Sequence, residues 1–269
     1  MRRLHSAWLG HNRKDELMPL IASADEARVN RRRGSAADGV TFWHTLYVGT
    51  SRYNMAPGEP DPPPDALFPM GFLVEQDPGS IATSHYHRQD QFQVIVGGCG
   101  IMGTHHVKPV TVHFSGAYTA YGPIRADVSQ GVHYFTLRNG FDPGARFMAL
   151  PENRAALRGI ADRRHREAVA GPLGEGSMGV IPVLSPEPDG LCAWRYRLVA
   201  GETAVGPDPA TGRGQYWVVI QGTMAQGDRA LGPRSCVFVY PAEPAITATA
   251  GPDGLDVLAL QFPRSERTE

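Results

Sequence analysis

Residues 79–98, Gly-Ser-Ile-Ala-Thr-Ser-His-Tyr-His-Arg-Gln-Asp-Gln-Phe-Gln-Val-Ile-Val-Gly-Gly, decide the fold. His85 and His87 stand two apart in a run that reads as a strand, so both imidazoles project from one face. A turn through Arg88, Gln89 and Asp90 brings the chain back, and Gln91 opens the return strand beside them. Two neutral imidazoles and one oxygen donor on one side of an ion leave coordination positions open for water, oxygen or substrate, which suits chemistry better than a closed structural site.

Outward from this hairpin the chain is punctuated for an all-β fold. Gly (31) and Pro (23) separate short runs rich in β-branched and aromatic residues. VTFWHTLYVG (40–49) is the first such run, and the prolines of MAPGEPDPPPD (55–65) make an exposed loop after it. Strand-like runs follow at short intervals through GVHYFTLR (131–138) and resume from MGVIPVL (178–184) to GLDVLALQF (254–262). Two segments read as helices, one over Asp15–Val29 and one connecting helix within residues 151–171.

The halves repeat. Gln91–Gly98 (QFQVIVGG) resembles Gln215–Gly222 (QYWVVIQG), 215 − 91 = 124 positions on, and Gly131–Arg138 resembles Gly254–Gln261, 254 − 131 = 123 positions on. A common offset in two separate matches predicts a duplicated β domain. The expected organisation is an N-terminal extension over 1–70 packing on the first domain, a first domain over 71–150, a linker helix over 151–172 and a second domain over 173–265.

Composition narrows the function classes. The 269 residues suffice for two domains, 42% are hydrophobic and the net charge is −1, so nothing favours nucleic acid as a partner. Arg31–Arg33 is the one basic cluster and reads as a solvated turn. No stretch approaches the roughly 18 apolar residues of a membrane span, and the start lacks the apolar core of a secretory signal. Cys99, Cys192 and Cys236 are odd in number and widely spaced, which argues against a disulfide framework. A cytoplasmic protein is the expectation. P-loop, dinucleotide-binding, nucleophile-elbow and HExxH motifs are absent from the sequence.

The segment 79–98 also resembles the first motif of the cupins: Gly, five residues, His-x-His, three or four residues, Glu, six residues, Gly. Gly79, His85, His87, Gln91 and Gly98 match every spacing, with Gln91 where the family has Glu. The resemblance implies two tandem jelly-roll (double-stranded β-helix) barrels joined by a helix, the first holding a divalent transition metal (Fe, Mn, Ni or Zn) on His85, His87 and Gln91. A neutral amide binds such an ion more weakly than a carboxylate and leaves the site more positive, which favours an anionic ligand. Alternatively Gln91 points away and hydrogen-bonds a ligand histidine.

The second motif is degraded. GAYTAYGPIRADVSQGVH keeps Gly116 and the Gly122-Pro123 turn, yet no histidine falls at Ile124–Asp127. His133 is the nearest substitute, with His105, His106 and His113 on intervening strands. Tyr118, Tyr121 and Arg125 are candidates for holding a substrate carboxylate at the barrel mouth; Tyr86 and Phe92 are expected to pack on the opposite face. No histidine follows His165, so a histidine-based centre in the second domain is excluded. These features point to a metal-dependent bicupin enzyme acting on a small organic acid, dioxygenase-like or, with a redox-inactive metal polarising a carbonyl, an isomerase or lyase. The alternative is a non-catalytic ligand-binding or scaffold cupin. A homodimer fits either reading, as does a small-molecule partner.

Overall fold

Residues 20–51, 55, 58–160, 165–174 and 176–264 are described by the computed structural model. Their strands form two β-units whose broad sheets pack back to back. The first unit's broad sheet runs, in spatial order, Glu167–Ala170, Thr111–Ser115, Gln91–Gly98, Val132–Arg138, Met70–Gln76, Thr41–Gly49 and Arg31–Ser35. A smaller sheet, Ile81–Ala82, Ile124–Ala126, Gly100–Met102 and His105–Val107, and the pair His85–Tyr86 with Arg146–Phe147 complete it. The second unit is built on Cys236–Val239, Gln215–Gln226, Thr247–Gln261, Cys192–Leu198 and Gly179–Leu184. Every strand pair in the two units is antiparallel, as in a fold of hairpins and Greek keys.

Alternation along the strands decides what faces what. Phe92, Val94, Phe114, Phe135 and Leu137 on the first unit meet Tyr216, Val218, Phe238, Leu258 and Phe262 on the second in one apolar core, all fully buried. The opposite face of the same strands looks into each unit's interior. In the second unit that interior is Tyr196, Trp217, Val219 and Val257. In the first it is polar as well as apolar, because Gln91, Gln93, His113, Thr136 and Arg138 occupy the inward positions, all buried. Strands apolar on the outward face and polar inward reverse the usual pattern; the neighbouring unit supplies the apolar cover.

The repeat survives in backbone detail. Gly98 (φ +59°) and Gly222 (φ +71°) adopt left-handed backbone, and a Cβ on either would stand 2.2 Å from the carbonyl oxygen of Gly131 or Gly254 respectively. These are equivalent positions in the two matched segments, and only glycine fits both the conformation and the approach.

The expected helices are mostly replaced. Of Asp15–Val29, residues 15–19 lie outside the described residues, and Leu20–Ala22 is a strand pairing with Cys236–Phe238 of the second unit. Only Ala24–Ala27 is α-helical, started by a capping box between Ser23 and Glu26. The connecting helix spans Pro151–Arg158; residues 161–164 lie outside the described residues, and Glu167–Ala170 pairs with Val112–Ser115 as a strand. In both places an open sheet edge takes up residues whose local pattern suits a helix. No helix among the described residues is long and apolar enough to cross a membrane.

Candidate functional site

His85 and His87 flank the turn into the return strand Gln91–Gly98, with ring centroids 5.2 Å apart and planes nearly perpendicular. Both rings are buried and line a cavity of about 350 Å³ inside the first unit. The segment 35–37 and the loop 142–145 also border it.

Each ring is anchored through Nδ1. His85 Nδ1–H donates to the Thr83 carbonyl at 2.6 Å, and His87 Nδ1–H donates to Asp142 Oδ1 at 2.8 Å. Asp142 also accepts from the amides of Arg88 and Gly144, both at 2.8 Å. Burial works to raise the Asp142 carboxyl, but His87, Arg138 and the Arg88 amide outweigh it and hold Asp142 ionised far below the ordinary range. Burial pushes His85 down to about 3, with His87 and Arg138 adding to the fall. Burial and Arg138 likewise lower His87. Both rings are therefore neutral near pH 7. His87 Nε2 makes no hydrogen bond among the described residues.

Gln91 lies behind the histidines, fully buried. Its Oε1 accepts from Arg138 Nε at 3.1 Å and Nη2 at 2.8 Å, and its Nε2 donates to the Tyr121 hydroxyl at 2.5 Å. Burial keeps the Tyr121 phenol protonated, so its O–H donates to His85 Nε2 at 2.9 Å. Arg138, Gln91, Tyr121, His85 and the Thr83 carbonyl thus form one chain of hydrogen bonds whose donor direction is fixed from end to end, which also assigns the Gln91 amide orientation and the His85 tautomer.

The other sequence candidates are dispersed. His133 precedes a bulge in its strand and faces away from the cavity-lining Tyr134, Thr136 and Arg138, with its ring against Gly97. His105 and His106 are exposed. His113 is buried between Gln93 Oε1 (2.9 Å) and Glu167 Oε1 (3.1 Å), one layer behind the cavity. Tyr121 lines the cavity as expected of a mouth residue; Tyr118 does not, and Arg125 borders a separate shallow depression with Cys99 and Lys108. Phe92 packs in the core between the units, and the Tyr86 hydroxyl donates to the Asn153 carbonyl at 3.2 Å.

Arg138 and Asp142 were not anticipated. They reach the site from 47 and 55 residues along the chain. One signal did point to Arg138: it ends an otherwise largely apolar strand and falls opposite Gln261 in the internal repeat.

The sequence matches no protein-family model, and a search of the curated proteins gives no match. Solved structures do resemble the fold. The bacterial pirin YhhW of Escherichia coli, solved with nickel(II), is 12% identical with a TM-score of 0.53 over 92% of this chain and 100% of its own. A candidate dioxygenase of Nostoc punctiforme is 11% identical with a TM-score of 0.56, over 93% of this chain and 81% of its own. The oxalate decarboxylase of Bacillus subtilis, described with Mn(II) centres, is 10% identical with a TM-score of 0.52, over 93% and 78%. At this identity the likeness is one of fold: these structures share the all-β architecture of this chain.

Proposed function

We propose that this chain is a metal-dependent cupin enzyme acting on a small organic acid within the first unit, with His85 and His87 as metal ligands. The observation that carries this reading is the anchoring of both imidazoles at Nδ1, on a carbonyl and on a buried carboxylate, beside a cavity. Metal-ligating histidines receive this support, which fixes the tautomer and leaves Nε2 basic. The two imidazoles would hold a divalent ion such as Fe(II), Mn(II), Ni(II) or Zn(II) through Nε2. On His85 that atom is occupied by the Tyr121 hydroxyl, a bond that would have to be given up. Direct ligation by Gln91 would require its bonds to Arg138 and Tyr121 to break, so we assign Gln91 to positioning.

When bound, the ion would supply a Lewis acid or, if iron or manganese, a redox centre. The chain's own residues do the rest. Tyr121 holds a proton that it can present to a ligand oxygen, Asp142 orients His87 while burial and Arg138 keep that ring neutral, and Phe42, Phe72 and Val74 supply an apolar stretch of wall. The dioxygenase-like variant of this reading draws support from the Nostoc punctiforme neighbour and from the open two-histidine face.

A second reading, a non-catalytic binding cupin, is favoured by the neutral Gln91 and by the absence, among the described residues, of any group of three or more His, Cys, Asp or Glu arranged to hold a metal. Elemental analysis of protein purified without added metal separates the two, with the His85→Ala/His87→Ala variant alongside. About one equivalent of one transition metal, lost in the variant, is the expected result. No metal in the wild type, or full retention in the variant, overturns the enzyme reading.

A further inference from the structure

Arg138 is 4% exposed, lines the cavity and forms no ion pair among the described residues. Its Nε and Nη2 are both taken by Gln91 Oε1, a neutral acceptor, and Nη1 makes no hydrogen bond among the described residues. The one carboxylate on the cavity wall, Asp142, is engaged by His87, the Arg88 amide and the Gly144 amide. Asp142 and Arg138 act on each other electrostatically but share no hydrogen bond. A guanidinium removed from water with N–H groups unspent attracts an anion that enters the same low-dielectric space. A planar guanidinium presents its N–H groups in the geometry a carboxylate accepts.

Val40, Phe42, Met70, Phe72 and Val74 form an apolar stretch of the wall, beside polar residues that include Gln76, Gln93 and Thr136. One cation beside this apolar stretch, in a cavity of about 350 Å³, fits a ligand with one charged end and an apolar body. We infer that the first unit's cavity is a receptor for a monocarboxylate with an aromatic or aliphatic body, its carboxylate on Arg138 Nη1 and its body against Phe42 and Phe72. The inference shares with the proposed function the choice of cavity, but it needs no metal, so either can fail alone.

The test uses the full chain stripped with a chelator, titrated by calorimetry with phenylacetate and hexanoate, with their neutral amides phenylacetamide and hexanamide, and with succinate. The acids are expected to bind at least tenfold more tightly than the matched amides, and succinate more weakly than hexanoate, because its second carboxylate would lie against an apolar wall. Arg138→Met is expected to abolish the preference for acid over amide. Gln91→Glu leaves Arg138 in place but gives it an internal counter-ion, and is expected to lower acid affinity at least tenfold in metal-free protein. If Arg138→Met does not fold, Gln91→Glu decides. Equal binding of acids and amides, or unchanged acid affinity in Gln91→Glu, overturns the inference. Metal content measured on the same samples reports on the proposed function independently, since a carboxylate at position 91 is expected to raise it.

Discussion

The two units put the same strands to opposite uses. In the first, Gln91 pairs in register with Arg138; in the second, Gln215 pairs in register with Gln261. The second pair closes on itself: Gln215 Nε2 donates to Gln261 Oε1 at 2.6 Å, and Trp217 Nε1 donates to Gln215 Oε1 at 3.2 Å. Two residues further on, Gln93 lines a cavity in the first unit, whereas Trp217 and Tyr196, ring centroids 5.1 Å apart, fill the same region of the second. A neutral, self-satisfied amide pair with a large aromatic makes a packed core, whereas a cation bonded to an amide, lying over Phe72 and acting on Asp142, leaves a polar cavity. The difference between scaffold and site lies in two inward positions rather than in the fold.

The largest expected effect tests the filled interior. Trp217→Ala should lower unfolding free energy by about 3–5 kcal/mol, since Trp217 is wholly buried and its removal leaves a cavity. Denaturant titration reads this directly; a loss below about 1 kcal/mol would mean that the second interior is not a packed core. Next come the reciprocal swaps. Gln261→Arg buries a cation with no cavity to serve and should cost on the order of 3 kcal/mol. Arg138→Gln, which gives the first unit the second unit's pair, should leave stability within about 1 kcal/mol of the wild type. Equal costs for the two swaps would erase the distinction drawn here.

The smallest expected effect uses pH. Burial holds His85 down at about 3 and His44 down at about 4, whereas the second unit contains no histidine. A histidine whose folded value lies below its unfolded value of about 6.5 contributes stability that is full above that value and is lost as pH falls through it. Between pH 7 and pH 5 each such histidine should remove about 2 kcal/mol. His85→Gln should flatten the metal-free stability profile over that interval by the same amount; an unchanged slope would show that His85 titrates alike folded and unfolded.

The local part of this design was legible in the sequence. His85, His87 and the glycines at 79 and 98 lie within one short stretch of sequence whose spacing places both rings together. The expected hairpin nonetheless does not form: His85–Tyr86 pairs with Arg146–Phe147 and not with Gln91–Gly98. The alternation of Gln91, Gln93 and Ile95 with Phe92 and Val94 was equally readable as two faces, although not which face would be the polar interior, because that depends on a second unit packing outside. Arg138 and Asp142 were out of reach for a different reason: strand register, not sequence neighbourhood, brings them to the histidines. Leu20–Ala22 went wrong for a third reason, since a helical pattern there yields to an open strand edge more than 200 residues away.

That strand carries a consequence for how the molecule is made. Leu20–Ala22 leaves the ribosome early, yet its partner Cys236–Phe238 follows 214 residues later (236 − 22). At about 5–20 residues per second the wait is roughly ten to forty seconds. Through that interval the first unit can complete its own sheet from Arg31 to Ala170, while the leading strand stays unpaired. Closure therefore comes late, when an early strand seals the edge of the second unit's sheet.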